Sequence, residues 1–154
     1  MRHCALLCLS ILIVGCNGGE RRTAADSTAA AARAMPAPLA LADIAGRWTV
    51  SAVRQGSSIS YVTYDMNVTG DTSGWTVVFP DRPAMPARVL TLAGDSFVVE
   101  IGPYRSVVRP NVKVVARTTG RLVNGRLTGR FAAHYGMSGP DSLVVGRFEG
   151  TRAP

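Results

Sequence analysis

Residues 43–154 predict an all-β domain: a single small antiparallel up-and-down barrel of about eight strands, preceded by a signal peptide and a flexible linker. Three observations predict it. From Asp43 onward, short runs of Val, Thr, Ile, Phe and Tyr are broken by Gly, Pro, Asn and Asp at spacings of about 8 to 14 residues, with no long helical period between them. Asn124-Gly125 and Gly94-Asp95 each separate two strand-like runs in the manner of a hairpin turn. The 154 residues are 47% hydrophobic but only 6% aromatic and 18% charged, which is apolar material for one modest domain.

The chain opens Met1-Arg2-His3, continues through an apolar or small stretch from Cys4 to Gly15, and reaches Cys16. A positive start and an apolar core of roughly 11 residues form the pattern of an export signal, too short to span a bilayer as a helix. Ile13-Val14-Gly15-Cys16 resembles the bacterial lipobox. The resemblance implies that residues 1–15 are removed and that Cys16 carries the lipid. Two acyl chains, at ~0.8 kcal/mol per buried methylene, would hold the protein stably on a membrane. It also implies a bacterial cell envelope and, in a Gram-negative host, an outer-membrane position facing the periplasm, because Asn17 rather than an aspartate follows the cysteine. From Asn17 to Ala42 the chain is dominated by Gly, Ala, Ser, Thr and Pro, so residues 16–42 predict a lipidated cysteine and a flexible tether with a reach of roughly 25 to 30 Å.

The expected strands are Gly46 to Gln55 (β1), Ile59 to Thr69 (β2), Gly74 to Phe79 (β3), Ala87 to Ala93 (β4), Ser96 to Ile101 (β5), Asn111 to Val123 (β6), Arg126 to Tyr135 (β7) and Ser142 to Arg152 (β8). The β6–β7 register follows from the Asn124-Gly125 turn. Setting Val123 opposite Arg126 places Leu122 with Leu127, Gly120 with Gly129, Thr118 with Phe131, Ala116 with Ala133 and Val114 with Tyr135 on one apolar face. The other face carries Lys113, Arg117, Arg121 and Arg130, with Val115 beside His134, and is largely polar. Gly120 opposite Gly129 leaves a gap in the inner wall, which is either ligand room or the place where the sheet bends to close. At Gly94-Asp95 the same arithmetic pairs Leu92 with Phe97 and Leu90 with Val99 inward, leaving Val89 with Glu100 outward. In β2, β3 and β8 the alternation is too blurred to assign faces.

The connections differ in kind. β2–β3, β4–β5 and β6–β7 are tight turns, whereas β1–β2, β3–β4, β5–β6 and β7–β8 are mostly longer and rich in Pro or Gly. In a meander these sets fall at opposite ends. One end is closed by hairpins and plugged by Leu39, Leu41 and Ile44. The other is a mouth framed by Arg82, Met85, Tyr104, Arg105, Arg109, Tyr135 and Met137.

Gly46-Arg47-Trp48, at the head of the first strand and after a short apolar turn, resembles the G-x-W opening of lipocalins and related calycin barrels. That resemblance spans about 110 residues and implies that Trp48 seals the closed end with Arg152 packed over it. The same opening is similar to that of small lipid-anchored or periplasmic inhibitors of bacterial metalloproteases, although no cysteine follows Cys16 to form the disulfide usual in their barrels.

Composition excludes several jobs. The net charge is +7, but the 17 basic residues, all arginine except Lys113, are scattered, with no run to grip a nucleic acid backbone. His134 is the only histidine after the leader, no cysteine follows Cys16, and the acidic residues show no metal-ligand or paired-carboxylate spacing. The expectation is a non-enzymatic protein without cofactor or metal, binding a small hydrophobic or amphipathic ligand in the barrel mouth. Arg105 and Arg109 would meet an anionic head, and Tyr104 and Met85 an apolar body. The competing expectation is a protein-interaction module, a protease inhibitor or envelope scaffold, with a packed barrel. Interior volume separates them, because small-molecule sites begin at about 300 Å³.

Overall fold

The computed structural model describes residues 38–154; the export signal, Cys16 and the first part of the tether expected from the sequence lie outside the described residues. The eight strands form a closed barrel in the order β1-β2-β3-β4-β5-β6-β7-β8, all neighbours antiparallel and β8 returning to β1. They are β1 (Gly46–Arg54), β2 (Ser60–Val68), β3 (Thr76–Val78), β4 (Met85–Ala93), β5 (Ser96–Arg105), β6 (Lys113–Val123), β7 (Arg126–Tyr135) and β8 (Leu143–Arg152).

Alternation of side chains builds the wall. Along β1, Trp48, Val50 and Ala52 point inward, and along β8 Val144 and Phe148 do the same. The β6–β7 ladder runs without a break from Val123↔Arg126 to Val114↔Tyr135, in the register the turn dictates. Asn124 and Gly125 take φ 50° and 74°, the left-handed pair a type I′ turn requires.

Three irregularities depart from simple alternation. The β4–β5 register shifts between Val89 and Thr91, so Val89 faces Val99 and Arg88 faces Glu100, correcting the expected Leu90–Val99 and Val89–Glu100 pairs. The extra residue, Leu90, turns outward, and Arg88 comes within ion-pair reach of Glu100. β5 runs on past a second irregularity at Gly102-Pro103, so Tyr104 and Arg105, expected in a loop, lie on the strand opposite Val114 and Lys113. Only glycine fits at 102: φ is 111° and a Cβ would stand 2.7 Å from the Val114 carbonyl oxygen. The third shift, between Ala52 and Val53, leaves Tyr61 as the unpaired residue of β2.

At the hairpin end, the short helix α1 (Leu41–Ile44) lies across the opening. Ile44 is fully buried, Leu39 and Leu41 pack on the core, and the Leu39 N–H donates to the Gly94 carbonyl at 2.7 Å. Trp48 is fully buried and donates its indole N–H to the Ile44 carbonyl at 2.8 Å. Arg152 stacks 4.5 Å above that ring and donates to the Asp43 carbonyl at 2.8 Å. Trp75 meets Phe97 edge-on at 5.4 Å and completes the plug. The gap at Gly120 and Gly129 is no ligand space, because the Phe97 and Phe148 rings occupy the volume their missing Cβ atoms leave.

Candidate functional site

Four loops frame the other end of the barrel, and arginines lace them together. Arg82 follows Asp81, whose φ of 59° turns the β3–β4 loop back over the opening. Its guanidinium donates to the carbonyls of Arg105 at 2.5 Å and Ser106 at 3.3 Å. Arg109, from the β5–β6 loop, lies 4.5 Å above the Tyr135 ring and donates to the Asp141 carbonyl at 2.8 Å. It also contacts the Met137 sulfur at 3.3 Å and shares the Asp141 carboxylate with Arg54, each at 3.6 Å. The buried Ser106 hydroxyl accepts the N–H groups of Val108 and Arg109 and sets the turn that aims Arg109.

Beneath this lacing lies a cavity of about 40 Å³ lined by Tyr61, Tyr64, Tyr104 and Tyr135, all the tyrosines of the chain. The Tyr61 and Tyr135 hydroxyls stand 3.1 Å apart, Phe79 stacks on Tyr104 at 5.3 Å, and Tyr64 tilts against Phe79 at the same distance. That volume admits a few waters at most, since one water needs roughly 10–15 Å³. The lumen is filled.

Burial pushes the Tyr104 phenol up to about 12, against the lowering pull of Arg82, and burial likewise raises Tyr64 and Tyr135, the latter helped by its hydrogen bond with Tyr61. The folded state therefore holds these protons more tightly than the unfolded chain, where a phenol titrates at its ordinary value of 10.0. Their contribution to stability is complete below that pH and is lost as pH climbs toward the folded value. The urea midpoint is expected to fall between about pH 10 and 12, with phenolate absorbance rising in the same transition; a flat midpoint across that range would place these rings in solvent.

The larger concavity lies outside the wall. A groove of about 810 Å³ crosses the outer faces of β5 to β8. Its floor is Val115, Ala132, Val145 and Gly146, with Phe131 reaching both this groove and the inner cavity. Gly146 has no room for a side chain, because the Phe131 ring and the Val53 carbonyl occupy that space. Glu100 sits at one edge, where hydrogen bonds from Arg88 at 2.5 Å and Arg117 at 3.1 Å hold its carboxyl below the usual range. Arg130 and Arg147 face each other directly across β7 and β8. Among the described residues, neither has an ion pair or a side-chain hydrogen bond.

Of the seven expected mouth residues, only Tyr104 and Tyr135 line the inner cavity. Arg82 and Arg109 bridge loops, Met137 is an exposed partner of Arg109, Met85 packs half-buried on the core from β4, and Arg105 ends β5 exposed. Tyr61, Tyr64, Phe79, Ser106 and Trp75 were not singled out by the sequence. Tyr61 reaches the lumen because the irregularity in β2 releases it from the alternation. His134 lies exposed on the outer face opposite Val115. Among the described residues, no three His, Cys, Asp or Glu side chains gather as a metal site would need. No protein-family model, curated protein or solved structure matches the chain.

Proposed function

We propose that this chain is a non-enzymatic binding lipoprotein of a bacterial cell envelope, anchored through Cys16, whose lipocalin-like barrel is a packed scaffold that recognises its partner with its outside. The contrast between a lumen of about 40 Å³ and an outer groove of about 810 Å³ carries this reading. By the volume criterion, a ligand of some 300 Å³ or more has no place inside, and rigid strands with a satisfied interior make a stable platform for surface recognition. The anchoring half of the proposal rests on the lipobox-like run Ile13 to Cys16.

A second reading, a small amphipathic ligand held within the mouth, is favoured by one observation: four tyrosines converge under the bridging cations Arg82 and Arg109. It requires those bridges to release.

The anchor is tested by labelling expressing cells with an alkyne-bearing fatty acid. The wild-type chain is expected to take the label and partition into the detergent phase. Cys16→Ser is expected to lose both, and a Cys16→Ser chain that keeps the label would overturn lipidation at this residue.

A further inference from the structure

The outer groove carries a charge arrangement that folding does not explain. Like charges directly opposite on neighbouring strands are destabilising, and the other carboxylate and guanidinium groups that line the groove avoid them: Glu100 faces Arg88 and Arg117, and Arg117 faces Ala132 on its other side. Arg130 and Arg147 are the one pair of like groove-lining charges set opposite each other, with no carboxylate partner among the described residues; the like-charged pair Arg105 and Lys113 lies outside the groove lining. Two arginines at directly opposed register positions in one groove suit a single oxyanion that accepts from both. Beside them, the exposed Leu143 and Val145 continue the floor as an apolar strip on β8.

We propose that this groove binds the phosphate head and adjoining apolar segment of an anionic phospholipid, Arg130 and Arg147 taking the phosphate and Val115, Ala132 and Val145 the apolar part. This rests on the surface-binding reading above. The size of the groove falls within the range of small-molecule sites. An extended peptide fits less well, because the barrel is closed and offers no free strand edge for main-chain pairing. A chain held at a bilayer by Cys16 would also have such headgroups at hand.

The test uses the full chain with Cys16→Ser, so that acyl chains do not hold it to lipid. It is floated with phosphatidylcholine vesicles with or without phosphatidylglycerol. Binding is expected only to the anionic vesicles, and R130Q/R147Q is expected to weaken it about tenfold or more, each basic residue near such a surface contributing about 1 kcal/mol. R47Q/R121Q removes the same charge elsewhere and is expected to change binding less than about twofold. R130Q/R147Q should also unfold at an equal or higher urea midpoint, since it relieves the repulsion. Equal losses from both double substitutions, no binding to anionic vesicles, or displacement by polyglutamate at matched charge would each overturn the proposal, the last in favour of an acidic protein partner. The fatty-acid label on Cys16 is read separately, so failure of the groove leaves the anchor and the packed lumen to stand or fall by their own measurements.

Discussion

Trp48→Ala is expected to destabilise the domain by about 3–5 kcal/mol, the range for deleting a large buried aromatic side chain. The ring is fully buried, and its loss opens a void at the closed end. It also leaves the Ile44 carbonyl without its indole donor and Arg152 without the face it stacks on. Against a typical total of about 5–15 kcal/mol, that is a large share. Urea denaturation followed by near-ultraviolet circular dichroism checks it. Arg152→Lys should cost much less, about 1 kcal/mol, because the charge remains while the planar fork over the ring is lost. A Trp48→Ala loss below about 1 kcal/mol would mean that the indole is not the keystone of that end.

Gly129→Ala carries the second large effect, about 3 kcal/mol, at the upper end of the usual overpacking range. A methyl group there would run into the Thr119 carbonyl of the neighbouring strand and the Phe148 ring, and the Cα of Gly120 would stand 2.8 Å from it. Backbone on one side and a buried ring on the other leave it no soft direction. Gly70→Ala is the matched control, since nothing lies within 4 Å of its Cβ position and no positive φ is required. That change should stay within about 0.5 kcal/mol. Equal urea midpoints for the two variants would contradict the close approach of β6 and β7 at Gly120 and Gly129.

Where a local rule governs the backbone, the sequence was legible. Asn124-Gly125 permits one turn type, the turn permits one register, and β7 begins at Arg126 and ends at Tyr135 as that reasoning requires. Gly46-Arg47-Trp48 and the apolar lead-in likewise pointed to a plugged end. What alternation conceals is a single inserted residue. At Leu90 and Tyr61 the strand shifts by one position with no glycine or proline to mark it, so Leu90 turned outward and Tyr61 joined the lumen unannounced. Gly102-Pro103 is such a marker, but it reads equally as the end of a strand.

The candidate site was less legible, for a chemical reason. Arg82 and Arg109 were expected to frame a ligand mouth, and both bond to main-chain carbonyls, which every residue possesses and no sequence pattern reveals. They bridge loops rather than lining a ligand pocket. The outer groove depends on the β7–β8 register, which brings Arg130 opposite Arg147. The faces of β8 could not be assigned from its own alternation, because Gly146 and Gly150 interrupt the inward row.

The most direct test of a packed barrel that binds on its outside is a native mass spectrum of the R130Q/R147Q chain, also carrying Cys16→Ser, isolated from a bacterial envelope extract without detergent. The bare polypeptide mass is the expected result, since the outer anion site has been removed and a lumen of about 40 Å³ holds only water. A stoichiometric adduct of a few hundred daltons, lost on denaturation, would place a ligand inside the barrel and contradict the account.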